Sequence, residues 1–163
     1  MSALRTTAIG ASGAVGLAAV VALAGPIVSK WEGRRLDPYV DLVGKPTVCD
    51  GETAVPMRRY SHAECDAMLA AGLRRHAGPI LECLPPTAPL EVKAAFTSFG
   101  YNVGVDAACN STAARKARAY DYRGACDALL AWNKARVNGQ LRFVQGLANR
   151  RADERALCLK GLA

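Results

Sequence analysis

The chain has 163 residues, 51% hydrophobic and 21% charged, with a formal net charge of +7. That describes one globular domain long enough to bury a core, with an apolar bias concentrated in the first thirty residues. Without Arg5 and Lys30, residues 31–163 keep 19 basic against 14 acidic side chains. Such a surface suits an anionic polymer, be it cell wall, nucleic acid or anionic lipid. Aromatic residues make up only 6% and no nucleic-acid motif occurs, so nucleic acid is excluded as the expected partner.

Residues 6–29, TTAIGASGAVGLAAVVALAGPIVS, carry no charge. As a helix they would span about 36 Å, against a bilayer core of about 30 Å. Arg5 and the terminal amine in front predict a single pass of the inner membrane with the N-terminus inside. Ala and Gly dominate, so transfer into lipid is marginal. Three readings follow. One is a permanent anchor, and another is a signal peptide cleaved after Ala22-Leu23-Ala24. The third is a segment that enters the membrane uncleaved and later leaves it. The expected division is an export segment at 1–30 and a folded domain at 31–163.

Residues 32–53, EGRRLDPYVDLVGKPTVCDGET, are broken by Pro and Gly. Val40–Val43 and Thr47–Cys49 favour strands, and Gly44-Lys45-Pro46 joins them as a hairpin. Glu32 is thereby set at a helix end, and Asp41 and Thr47 on a hairpin. Two carboxyls and a hydroxyl facing each other across a cleft are what glycoside hydrolysis requires.

The six cysteines, 49, 65, 83, 109, 126 and 158, include no Cys-x-x-Cys pair and are not spaced with His62 or His76 as ligands, so no metal site is expected. An even count behind an export segment reads as disulfides formed in an oxidising compartment. Of the fifteen pairings, the working expectation is Cys49–Cys65, Cys83–Cys158 and Cys109–Cys126. None lies in residues 1–30, so release from a membrane cannot proceed by disulfide exchange with that segment.

Ser61-His62-Ala63-Glu64 is a capping box. The helix behind it places Ala63, Ala67, Met68, Ala71 and Leu73 on its apolar face and runs to about residue 77, where Gly78-Pro79 interrupts it. Val92, Ala95, Phe96, Phe99 and Val103 form a buried stripe on a second helix, ended by Gly104. Asn110-Ser111-Thr112 caps a helix starting near Ala113. Asp121 to Gly124 is a turn, residues 125–135 are helical with Leu129 and Trp132 inward, and Asn138-Gly139 is another turn. A last amphipathic helix begins with Leu141, Val144, Leu147 and Ala148.

The spacing Glu32-x8-Asp41-x5-Thr47, with FGYNVG (99–104), NST (110–112), Trp132 and GLANRRADE (146–154), resembles the phage lysozymes of glycoside hydrolase family 24. The resemblance covers roughly residues 31–160. Many members have Gly-His-Thr where this chain has Gly51-Glu52-Thr53, so no histidine role carries over there. The family resemblance implies an α+β, mostly helical, two-lobed fold with a small β-hairpin N-terminal lobe and a helical C-terminal lobe.

It also implies cleavage of the β-1,4 bond between N-acetylmuramic acid and N-acetylglucosamine in peptidoglycan, with inversion and without metal or organic cofactor. Glu32 is then the general acid, which must hold its proton near neutral pH, Asp41 the ionised partner and Thr47 the water-positioning hydroxyl. Tyr101, Asn102, Ser111 and Thr112 are expected against substrate, and Arg150 or Arg151 as the residue that orients Glu32. An Ala/Gly-rich segment directly before this motif resembles signal-arrest-release endolysins. These are held at the host inner membrane, freed into the periplasm on depolarisation with help from a holin or pinholin, and act in host cell lysis as monomers. A lytic transglycosylase and a non-catalytic, membrane-anchored wall-binding protein are the rival readings.

Overall fold

The computed structural model describes residues 11–41 and 44–163, without the side chains of 11–15. Leu42 and Val43 of the expected first strand, and residues 6–10 of the uncharged segment, lie outside the described residues. The elements run α1 (Ala11–Glu32), β1 (Arg35–Val40), β2 (Pro46–Cys49), α2 (His62–Glu82), α3 (Leu90–Val103), α4 (Val105–Cys109) and α5 (Thr112–Arg118). They continue with α6 (Tyr122–Ala128), a 3-10 turn (Leu129–Ala131), β3 (Lys134–Val137), β4 (Gln140–Phe143) and α7 (Gln145–Lys160). The fold is α+β and mostly helical, with two small antiparallel hairpins.

Helix α3 is the centre of the helical lobe. Every residue from Ala94 to Gly100 is buried, because α1, α2, α4 and α7 pack around it. The apolar N-terminal segment is part of this core: Val20, Val21, Ala24 and Val28 of α1 are buried with Phe96 and Phe99. Among the described residues no helix is long and apolar enough to cross a membrane. Helix α1 ends at Glu32, and Gly33 follows at φ 67°, the left-handed turn that lets the chain leave the helix and enter β1.

The hairpin forms, but its first strand lies upstream of the expected one. β1 covers Arg35–Val40 and pairs Tyr39 with Thr47 and Val40 with Pro46, leaving Asp41 in the connection. Leu36 packs against the small core around Cys49 and Cys65 while Val40 is exposed, so pairing with β2 and the burial of Leu36 outweigh the local β-preference of Val40–Val43.

Ser61 caps α2 as expected, accepting from Glu64 N while the Glu64 carboxylate accepts from Ser61 N. The helix does not stop at Gly78-Pro79. It runs to Glu82 with Pro79 inside, since its other turns and its packing on α3 outweigh one lost backbone bond. Its buried face is Cys65, Leu69, Gly72, Leu73, Ala77 and Ile80, so the expected Ala63, Ala67 and Ala71 are exposed. Alanine is weakly apolar and does not mark the core side by itself. Residues 125–135 are not one helix either: α6 ends at Ala128, and Lys134 begins β3. Leu141 belongs to β4, not to the last helix. The turn at Asn138-Gly139 closes this second hairpin, with φ 50° and 78° at its two residues, as a two-residue turn requires.

Three disulfides are present, Cys49–Cys65, Cys83–Cys109 and Cys126–Cys158. The first is as expected. The other two correct the expected pairings: Cys83 at the end of α2 meets Cys109 at the end of α4, and Cys126 on α6 faces Cys158 on α7, which these packed helix pairs dictate. The first disulfide staples the hairpin lobe to α2, and the others staple the helical lobe.

Candidate active site

Glu32 sits on the last turn of α1 with about a quarter of its side chain exposed. Arg150 Nη1, from the first half of α7, donates to Glu32 Oε1 at 2.8 Å. Of the two candidate arginines, this one reaches the carboxylate. Arg151 is turned away, fully buried, and donates through Nη2 to Asn102 Oδ1 at 2.7 Å. The two are adjacent on a helix, so their side chains leave it about 100° apart and serve different neighbours.

The end of α1 is fixed on both flanks. On one side, Ser29 Oγ donates to Asp50 Oδ1 at 3.1 Å, and Arg34 donates to both Asp50 oxygens. Asp50 is buried, and Arg34 also reaches Asp66 on α2. On the other side, Lys30 Nζ and Trp31 Nε1 donate to Asp153 Oδ2 of α7 at 2.7 and 2.8 Å. Four residues within six positions of the chain, 29, 30, 31 and 34, thus hold the helix end that carries Glu32. Asp50 and Asp153 are missing from the sequence-based candidates. Local sequence marks both as ordinary surface acids, and only the three-dimensional approach of α1 gives them partners.

The hairpin presents Asp41 and Thr47 on either side of Lys45. Asp41 Oδ1 accepts from Lys45 N at 2.8 Å, and Thr47 Oγ1 donates to Lys45 O at 2.9 Å. Thr47 is buried and Asp41 partly exposed. The backbone bonds Asp41 N to Lys45 O and Gly44 N to Asp41 O fix this turn.

Tyr101 on α3 belongs to the same region. Burial pushes its phenol up from the ordinary tyrosine value, and the carboxylates of Glu32, Glu52 and Asp50 add to that rise. Its ring packs on His76, with centroids 4.8 Å apart. Asn102, next to it, is exposed and held by Arg151. Ser111 is placed differently. It is buried, donates to Ala108 O at 2.6 Å and accepts from Ala114 N at 3.0 Å. Its proton goes to the Ala108 carbonyl while its oxygen caps α5, and Thr112 Oγ1 accepts from Arg115. Both hydroxyls thus hydrogen-bond within α4 and α5, and neither is hydrogen-bonded to Glu32. Among the described residues no three His, Cys, Asp or Glu side chains are grouped to hold a metal ion.

The sequence profile of the phage lysozymes matches residues 29–154, from the last turn of α1 to Glu154. The chain belongs to the phage lysozyme family. A SAR-endolysin of bacteriophage PS34 is 38% identical over 165 aligned positions, covering 98% of this chain and 96% of the relative. The endolysin of the Escherichia coli O157:H7 phage FAHEc1 has the same fold, with a TM-score of 0.78 at 24% identity over 84% of this chain and 90% of that one. The active form of the P1 phage endolysin Lyz aligns with a TM-score of 0.72 at 24% identity, over 92% and 94% of the two chains. The alignment with the PS34 relative takes in nearly the whole chain, so the likeness extends into the N-terminal segment beyond residues 29–154.

Proposed function

We propose that the protein is an endolysin that hydrolyses the β-1,4 bond between N-acetylmuramic acid and N-acetylglucosamine, with inversion. The observation that carries this is the Glu32 carboxylate, presented at the end of α1 and held by Arg150 of α7. Glu32 donates a proton to the glycosidic oxygen as the bond breaks. Asp41, ionised on its turn, draws a proton from the incoming water or balances the positive charge developing on the sugar, and Thr47 orients that water. Tyr101 and Asn102 line the approach to the site and contact the glycan, and Arg150 fixes the direction of the Glu32 carboxyl.

The N-terminal segment supplies the control. Val20, Val21, Ala24 and Val28 are buried in the domain, so the same side chains cannot also face lipid. Once the segment has left the bilayer for water, each buried Val stabilises the docked helix by roughly 1.5–3 kcal/mol. While residues 6–29 are in the inner membrane, α1 is absent from the domain and Glu32, three residues after Ser29, is held at the lipid surface within about 10–11 Å of it. Depolarisation, brought about by a holin or pinholin, frees the segment. Docking of α1 then assembles the site in the periplasm and lysis follows. In this reading residues 1–30 are an export and control segment, and residues 31–163 a lysozyme domain that acts as a monomer.

The test is digestion of purified peptidoglycan by the wild-type protein and by Glu32→Gln, with products assayed for reducing ends and anhydro sugars. New reducing ends from the wild type and none from the variant support the assignment. Anhydro sugars would make the protein a lytic transglycosylase, and full activity in the variant would remove Glu32 from the mechanism.

A further inference from the structure

We propose that Glu154 is the positioning residue of this site, aligning Glu32 through Arg150 and Asn102 through Arg151 from one buried carboxylate. The proposal rests on the reading of Glu32 and Asn102 given above. Glu154 is fully buried on α7. Its Oε1 accepts from Ser98 Oγ at 2.7 Å and from Arg150 Nε at 3.3 Å. Its Oε2 lies 3.0 Å from Arg151 Nε, in charge contact without hydrogen-bond alignment. Arg150 Nη2 also donates to Ser98 O at 3.4 Å. The carboxylate therefore touches both guanidiniums, and each guanidinium uses another nitrogen to hold a different residue of the site: Arg150 holds Glu32, and Arg151 holds Asn102.

A purely structural ion pair does not need this arrangement. A single arginine would neutralise Glu154; here the carboxylate touches two, the charge of the second being balanced by Glu32 through Arg150, and burying such a cluster is costly. Burial pushes the Glu154 carboxyl above the ordinary value against the pull of both arginines, and lowers Arg151 to about 10. Arg151 Nη1 has no hydrogen-bond partner, and its guanidinium lies over the Phe99 ring at 5.0 Å. What the cost secures is direction. The two arginines share one carboxylate yet serve different residues, one holding the reacting carboxyl and the other Asn102 at the exposed edge of α3.

Glu154→Gln is the informative change, because every group facing the carboxylate is a donor: Ser98 Oγ and Arg150 Nε on one oxygen, Arg151 Nε on the other. Whichever way the amide is turned, its NH2 meets a donor. The amide also lacks the charge that anchors both arginines, and one of the two now faces an N–H donor, so the pair loses its common anchor. A displacement of about 1 Å costs up to about 100-fold in rate, so kcat should fall roughly 10- to 100-fold and KM rise several-fold. Arg150→Ala should act mainly on kcat, and Asn102→Ala mainly on KM. Because Glu154 reaches Glu32 only through Arg150, the Arg150→Ala/Glu154→Gln double variant should have nearly the kcat of Arg150→Ala alone.

The experiment measures kcat and KM on purified peptidoglycan for the full chain, its single variants and the double variant, with folding checked by near-ultraviolet circular dichroism. An active wild type with Glu32→Gln inactive secures the underlying reading independently. Given that, a folded Glu154→Gln with unchanged kcat and KM overturns the proposal, as does a double variant whose losses simply multiply. If Glu154→Gln does not fold, Ser98→Ala decides. It removes one anchor of the carboxylate without changing any charge. A fall in kcat with a rise in KM supports the proposal, and wild-type values for both overturn it.

Discussion

Two alanines on α1, two positions apart, separate docking of the helix from its affinity for lipid. Ala24 is fully buried in the helical core, whereas Ala22 is exposed. A leucine at either position adds the same three carbons, and so the same small preference for a bilayer, of a few tenths of a kcal/mol or more. Only at position 24 must those carbons enter space already filled by the core. Overpacking of that kind costs about 1–3 kcal/mol. For a domain of this size that lowers Tm by roughly 2–4 °C per kcal/mol, or about 4–8 °C for a 2 kcal/mol penalty. Because α1 carries Glu32, turnover should fall with it. The assay is thermal unfolding and peptidoglycan turnover of soluble Ala24→Leu, Ala22→Leu and wild type. Ala22→Leu should match the wild type and Ala24→Leu should lose both stability and turnover. Equal values for the two variants would refute the claim that this face of α1 is a packed part of the active domain.

A Cβ at Gly100 would come within 2.6 Å of Ile80 Cδ1. Gly100→Ala should therefore destabilise by about 1–2 kcal/mol despite its better helix propensity, and Ile80→Val, which removes that carbon, should recover most of the loss in a chemical-denaturation titration. Removing Cys83–Cys109 as a pair of alanines opens a loop of 26 residues. A chain-entropy treatment gives about 3.5 kcal/mol, lowering Tm by roughly 7–14 °C by calorimetry. The Glu64 carboxyl is held at about 2, first by its bond from Arg58 and then by Ser61. Its contribution is therefore present at neutral pH and is lost as pH falls from the ordinary carboxyl range through about 2. A Tm difference between wild type and Glu64→Gln should be visible at pH 6 and vanish near pH 2.

Local chemistry made parts of this molecule legible in advance. The Ser61/Glu64 capping box, the α3 stripe and the Asn138-Gly139 turn each depend on neighbours within four residues, and each is found. The buried face of α2 was displaced because alanine-rich turns carry little contrast between sides. The strands 134–137 and 140–143 went unread because their exposed, basic residues give no alternation of burial. Two of the three disulfide pairings failed for a similar reason, since helix-to-helix approach decides which sulfurs meet. In the site, the motif pointed to Glu32 and to the arginine pair, while the choice of Arg150 required the fold. Glu154 and Ser98 were invisible: a charge in Arg-Arg-Ala-Asp-Glu reads as solvated until α3 is laid across it.

The central claim is that the helix bearing Glu32 is inactive in the bilayer and active once docked on the domain. The most direct measurement is turnover of peptidoglycan by the full chain inserted in energised vesicles through residues 6–29, before and after the potential is collapsed. The account predicts negligible turnover before and the soluble enzyme's rate after, appearing together with the protein in the released fraction. Full turnover by the inserted protein would contradict it.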